Sequence, residues 1–156
     1  MRVAVSGEAP CDLAPVRAAM RRAARPYGIG AAASVHLAFV TDLEMRALNR
    51  RFRKIDRTTD VLSFGEALPP GLRGEAAVRF LRKGSTGPLE LGEIAISAGQ
   101  AARQARRRRR PLASEVAFLA AHGLLHLLGF EDETPAGYRE MLRLGHDAAG
   151  QKAVKR

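Results

Sequence analysis

Short runs of alternating or mainly apolar residues predict β-strands in the first two thirds of the chain. They are residues 2–6 (RVAVS), 34–40 (SVHLAFV), 61–64 (VLSF) and 89–97 (LELGEIAIS). Between the last two runs, five glycines and three prolines within residues 65–88 predict an irregular segment. An ordered piece is expected around residues 76–82, where these breakers are absent.

Apolar residues at helical spacing predict five helices. They cover residues 12–27, a segment that follows Thr41, and residues 97–110, 114–129 and 135–144. The second helix starts with a Thr-x-x-Glu capping box and carries Met45, Leu48 and Phe52 on one face. We expect residues 147–156 to form a frayed tail.

The order of these elements predicts the fold class. Strands and helices mix in the first part of the chain and only helices follow, which favours a small sheet covered by helices. At 156 residues the chain is long enough to bury a core as one domain. We therefore expect a single α/β (α+β-like) domain over residues 1–156, with a mixed sheet of about four strands and about five helices.

The sequence carries no sign of export or membrane insertion. No apolar run is long enough to cross a bilayer, and the N-terminus lacks the basic-then-apolar layout of a signal peptide. The single cysteine, Cys11, cannot form a disulfide within the chain. These features predict a cytoplasmic protein with no membrane partner.

The formal net charge is +10, from 26 basic and 16 acidic residues. Such an excess favours polyanionic partners such as nucleic acid, although GC-rich coding also raises the arginine content. Residues 106–110 are five consecutive arginines, which suit either phosphate binding or a helix C-terminus stabilised by the helix dipole. Aromatic residues are few, so we expect recognition by charge and shape more than by base stacking.

A metal site is predicted by the stretch HGLLHLLGFED, which covers residues 122–132. His122 and His126 are four residues apart, so they project from one helix face and can reach one ion. Gly129 allows a turn that brings the chain back, and Asp132 then lies where a third ligand is needed. The alternative is a buried helix with two hydrogen-bonded histidines, but the glycine and the acidic residues favour the metal site.

The residue after the first histidine argues against a peptidase. Zinc peptidases of the common kind have a glutamate there, which takes a proton from water at the metal. This chain has Gly123, whose side chain cannot act as a base. The site therefore suits a phosphodiester substrate, because a metal can both activate water and neutralise a phosphate.

Three stretches occur together in a specific order. They are LNRRFRKIDRTTDVLSF (48–64), LGEIAIS (91–97) and HGLLHLLGF (122–130). In this order and at about this spacing they resemble the YbeY family of metal-dependent endoribonucleases of ribosomal RNA maturation. The resemblance implies an α/β fold, a zinc site on a late helix, and RNA of the small ribosomal subunit as partner in a basic groove. It also implies that His122 and His126 are metal ligands and that Arg53 is functionally important.

The chain departs from the family at the third metal ligand. The family pattern continues G-[YF]-D-H, whereas this chain has Gly129-Phe130-Glu131-Asp132, so an aspartate replaces the histidine. Aspartate is an acceptable zinc ligand, but its shorter reach requires the loop to come closer, or Glu131 or Glu133 to substitute. Two histidines and one carboxylate also suit iron or manganese; we expect one zinc ion.

Arg53 is the candidate for contact with the substrate. An arginine beside a metal can hold the scissile phosphate and stabilise the charge that develops on it. Its neighbours Arg50 and Arg51 do not match the family position, which separates Arg53 from them. Asp60 and Ser63 either orient the strand end near the site or are merely a turn cap and an edge hydroxyl.

These features favour a zinc-dependent, single-strand-specific endoribonuclease that acts in ribosomal RNA maturation and ribosome quality control. The alternative is a ribosome-associated RNA-binding or assembly factor with little catalysis. A metalloprotease comes third, weakened by Gly123. We expect no specificity for DNA.

Overall fold

The computed structural model describes residues 1–151, which form a four-stranded sheet and six α-helices. The strands are β1 (Arg2–Ser6), β2 (Ser34–Val40), β3 (Val61–Phe64) and β4 (Glu90–Ser97). The helices are α1 (Ala14–Ala24), α2 (Asp42–Arg53), α3 (Glu75–Lys83), α4 (Ala98–Arg107), α5 (Leu112–Leu127) and α6 (Pro135–Ala148), with a 3-10 turn at Arg25–Tyr27. The predicted α/β fold is confirmed, and the additional helix, α3, is the ordered piece expected within residues 65–88.

The sheet is mixed, with the strand order β1-β2-β4-β3. Strands β1, β2 and β4 are parallel, and β3 runs antiparallel to β4, with Val61 opposite Ile96 and Phe64 opposite Glu93. Strand β3 is therefore an edge strand. The candidate site lies beside its free edge.

Helix α5 is the centre of the main core. Eleven of its 16 residues are buried, as expected for a helix that is apolar on all sides. It packs against β3 and β4 and is flanked by α1, α4 and α6. Because α5 carries the two candidate histidines, the metal centre is built on the most enclosed element of the fold.

Helix α2 packs on the opposite face of the sheet. Its predicted capping box is present: the Glu44 N–H donates to the Thr41 hydroxyl at 3.2 Å, and the Glu44 carboxylate accepts from the Thr41 N–H at 3.4 Å. Met45 is fully buried against Leu62. Phe52, the last position of the predicted apolar stripe, is instead 54% exposed.

Several predicted helix boundaries are wrong. Helix α1 covers Ala14–Ala24 instead of 12–27, and α4 ends at Arg107 instead of residue 110. Helix α5 begins at Leu112 and not at Ser114, because Pro111 serves as its N-cap and Leu112 packs against the core. Helix α6 continues to Ala148, and the Gln151 amide donates to the Ser114 carbonyl at 2.8 Å. The chain is therefore ordered to residue 151 instead of fraying from 147, and residues 152–156 lie outside the described residues.

None of the described helices is both long enough and apolar enough to span a membrane.

Candidate metal centre

His122 and His126 face each other across one turn of α5. Their Nε2 atoms are 3.1 Å apart. The Nδ1 atom of His126 lies 3.0 Å from the Phe130 carbonyl oxygen, and because a carbonyl can only accept, Nδ1 carries the hydrogen. In the neutral ring the lone pair of His126 is then on Nε2, the atom that lies beside the Nε2 of His122.

The turn after α5 depends on Gly129. Its φ is +87°, and a Cβ there would lie 2.1 Å from the Leu72 carbonyl oxygen. The Gly74 N–H also donates to the Leu128 carbonyl at 2.9 Å. Only glycine can therefore make this turn, which leads the chain back toward the histidines as the sequence predicted.

Asp132 completes a triangle of donor atoms. Its Oδ2 atom is 3.3 Å from the Nε2 of His122 and 3.5 Å from that of His126. An ion held tetrahedrally at 2.0–2.1 Å requires donors about 3.3 Å apart, so this triangle fits a divalent metal. Within residues 1–151, this is the one group of three or more His, Cys, Asp or Glu side chains close enough to share an ion. Glu131 and Glu133, the alternative third ligands, do not belong to it.

Burial favours the neutral form of the His122 imidazole. The side chain is 13% exposed, and desolvation lowers the pKa of its imidazole, with the neighbouring His126 lowering it further against the opposing effect of Asp132. A neutral imidazole is the form that binds metals. The environment therefore favours a ligand over a cationic histidine.

Gly123 faces the sheet. A Cβ there would lie 2.7 Å from Ile94 Cγ2 and 3.2 Å from Ser63 Oγ, so a peptidase glutamate has no room at this position. The Ser63 hydroxyl donates to the Gly123 carbonyl at 2.8 Å. Ser63 therefore orients the strand end near the site, because it ties the edge strand β3 to the helix turn that carries His122.

Two adjoining cavities surround the metal centre. The larger, about 760 Å³, lies between the loop of residues 65–73 and the start of α6, and the smaller, about 220 Å³, contacts all three candidate ligands. Arg53, Ser63 and His126 line both cavities. The last residue of α2 thus lies beside the centre, as required for a phosphate contact.

Asp60 and two further polar side chains of the sheet, His36 and Glu93, have structural partners. Asp60 accepts from the Val61 N–H at 2.8 Å and from the Gln104 amide at 3.2 Å, so it caps the start of β3 and ties it to α4. His36 and Glu93 contact each other at 3.4 Å, and neither belongs to the metal group.

The arginine run does not act as one unit. Arg108 and Arg110 contact the carboxylate of Glu115, at 2.6 and 3.5 Å, and Glu115 is fully buried. Burial raises the pKa of this carboxyl, against the lowering effect of the two arginines. The other three side chains are exposed and make no ion pair within the described chain: Arg106, Arg107 and Arg109. In the sequence, the feature that indicates this division of the arginines is Glu115, an isolated acidic residue within an apolar helix.

Comparisons with known proteins show which family this chain resembles. Residues 13–151 match the family described as Endoribonuclease YbeY. The endoribonuclease YbeY of Anaeromyxobacter sp. (strain Fw109-5) is 41% identical over 92% of this chain and 68% of its own length. The endoribonuclease YbeY of Myxococcus xanthus is 42% identical over 76% of this chain and 36% of its own length. That of Moorella thermoacetica is 40% identical over 83% of this chain and 79% of its own length.

The fold also has a counterpart among solved structures. The solution structure of TM1509 from Thermotoga maritima matches 99% of both chains with a TM-score of 0.57 and 21% sequence identity. At this identity the likeness concerns the fold alone.

Proposed function

Because this chain belongs to the endoribonuclease YbeY family, we propose that it hydrolyses RNA phosphodiester bonds at the centre formed by His122, His126 and Asp132. The observation that carries this proposal is the convergence of three donor atoms, 3.1 to 3.5 Å apart, in a cavity that Arg53 also lines. An ion site beside an arginine suits a substrate whose reacting group is an anion.

Zinc is the ion that we propose. When bound, zinc supplies a Lewis acid that lowers the pKa of water and offsets the charge of a phosphate. His122 and His126 offer it their Nε2 atoms, and the Phe130 carbonyl fixes the ring orientation of His126. The Asp132 carboxylate adds a negative charge to the donor set, which leaves the site less electrophilic than one with three histidines.

Arg53 positions the substrate. Its guanidinium can donate two parallel hydrogen bonds to the scissile phosphate and stabilise the charge that develops there. Gly123 provides no carboxylate, so the proton of the attacking water leaves by a route other than that of a zinc peptidase. This difference supports phosphodiester over peptide hydrolysis.

Single-stranded ribosomal RNA of the small subunit is the proposed substrate, with a role in its maturation and in ribosome quality control in the cytoplasm. The family resemblance supports this choice, and so does the net charge of +10, which favours a polyanion.

Single-turnover cleavage of a labelled single-stranded RNA tests the proposal. Cleavage should require the metal and stop with chelator. Arg53→Ala should lower the rate more than ~10-fold with little change in RNA affinity, the signature of an interaction made chiefly in the transition state. Arg50→Ala is the matched control, and it should affect the rate much less.

The aspartate at the third ligand position favours one alternative, an RNA-binding or assembly factor with little catalysis. Equal, small effects of Arg53→Ala and Arg50→Ala, with intact RNA binding, would support that alternative over the enzyme.

A further inference from the structure

The last turn of α2 exposes an aromatic ring. Phe52 is 54% exposed, more than any other aromatic side chain of the described chain. Met45, at the start of the same apolar stripe, is fully buried. The cluster that buries Met45 therefore leaves Phe52 largely in solvent.

Two contacts hold this ring in place and leave about half of it accessible. The ring of Phe64, on the edge strand, meets it in an edge-on arrangement with centroids 5.0 Å apart. The guanidinium carbon of Arg51 lies 5.2 Å from the ring centroid. Since more than half of the side chain is still accessible, the ring can accept a planar group on the surface that these two contacts leave open.

Cations surround Phe52 along the chain. The stretch 50–54 reads RRFRK, and none of its four basic side chains forms an ion pair with an acid of residues 1–151. Arg53, which follows Phe52 in the sequence, lines both cavities of the metal centre. Consecutive Cα atoms are about 3.8 Å apart, so the backbone of Phe52 lies one residue from the site, although its ring lines neither cavity.

Exposure of an apolar side chain does not by itself indicate a binding site, as Leu43 shows. It is 78% exposed on the same helix, but it lies between Asp42 and Glu44, and single exposed apolar side chains are ordinary. Phe52 differs in having a ring, four cationic neighbours in the sequence and, as the next residue, Arg53, which lines the cavities of the metal centre. Charge of this sign selects a polyanion over an apolar protein segment.

We propose that Phe52 is the stacking platform for one nucleobase of single-stranded RNA, one or two nucleotides from the phosphate that Arg53 holds. The flanking basic side chains contact the neighbouring phosphates. This inference rests on the proposed function and adds a source of strand selectivity. A duplex already stacks its bases on one another, so only a single strand offers a free base to the ring.

An abasic scan tests this platform. Short single-stranded RNAs, each lacking the base at one position, are bound to the wild type and to Phe52→Leu, Phe52→Trp and Leu43→Ala. The wild type should lose about 5- to 100-fold in affinity when one particular base is missing. Phe52→Leu should bind the intact RNA more weakly than the wild type by that same factor. Removing the base should then not weaken its binding further. Phe52→Trp and Leu43→Ala should behave like the wild type.

The outcomes separate this inference from the proposed function. A flat scan with the wild type, or a Phe52→Leu variant as sensitive as the wild type to the missing base, overturns the platform while cleavage by the wild type stands. An equal loss by Phe52→Leu for every RNA, with the wild-type scan profile retained, also overturns it and assigns the residue a structural role. Failure of the wild type to bind or cleave any RNA would overturn the proposed function itself.

Discussion

Replacing Gly123 by alanine tests whether the packing of α5 on the sheet sets the metal geometry. The added Cβ would lie 2.7 Å from Ile94 Cγ2, whereas carbon atoms in contact are about 3.5–4.0 Å apart. Ile94 is fully buried in the central strand β4, so either its side chain must change rotamer or the helix must move. If the helix moves, it moves by roughly 0.8 Å or more, and His122 moves with it.

The expected magnitudes differ for stability and for metal binding. Overpacking costs about 1–3 kcal/mol, and alanine regains about 0.8–1 kcal/mol of helix propensity over glycine. The net loss is therefore at most about 2 kcal/mol, or a fall of at most about 8 °C in the melting temperature. Metal ligands tolerate displacements of only about 0.2 Å, so the affinity for the metal should fall about 10- to 100-fold.

Thermal unfolding and zinc competition with a chromophoric chelator measure these two effects on one sample. Gly84→Ala is the matched control, because a Cβ there meets nothing within 4 Å, and it should leave zinc affinity unchanged. A Gly123→Ala variant that binds zinc as tightly as the wild type would refute the link between this packing and the ligand geometry.

Three further sets of substitutions test the centre and its surroundings. Asp132→His should keep or tighten metal binding because it restores the family's ligand set, and Asp132→Ala should release the metal; full metal content in the alanine variant would contradict its role. Replacing the three exposed arginines of the run by glutamine should reduce the salt dependence of RNA binding by about one unit of slope for each phosphate that is no longer bound, whereas Arg110→Gln should lower thermal stability by weakening the pairing of buried Glu115. An unchanged slope would make the exposed arginines a solvated helix end. Arg103 donates to Asp42 and is the largest cause of its lowered pKa, so this stabilisation is present above about pH 3.8 and lost as the pH falls through the folded value. Asp42→Asn should therefore cost under about 1 kcal/mol at pH 7 and less near pH 3, and an equal cost in denaturant titrations at both pH values would contradict the ion pair.

The strands could be predicted closely because their signals are local. Strands β2 and β3 have the predicted bounds, and the capping box fixes the start of α2. The start of α5 could not be predicted from local preference, because Pro111 and Ser114 both suit a position just before a helix. The packing of Leu112 against the core decides between them, and that contact is a property of the tertiary structure.

The candidate site divides in the same way. The two histidines, Gly129 and Asp132 lie within eleven consecutive residues, so helical spacing and one turn were enough to predict their convergence. The bond from Ser63 to Gly123 joins elements 60 residues apart, and no periodicity contains it. The arginine run likewise appears uniform as charge, and only the position of buried Glu115 shows which members are held in the fold.

The contact between Gly129 and Leu72 has a consequence for how this enzyme family can diversify. The hydrogen bond from Gly74 to Leu128 joins the end of the 65–73 loop to the same turn. A shift of this end of the loop would therefore displace the turn that leads to Asp132. A Cβ added at Gly71, by contrast, would meet no other atom within 4 Å. We therefore expect insertions at residues 69–71 to reshape mainly the larger cavity, which these residues line, and changes at residues 72–74 to disturb the metal centre as well. Evolution and protein engineering thus have one permissive and one restrictive segment within the same short loop.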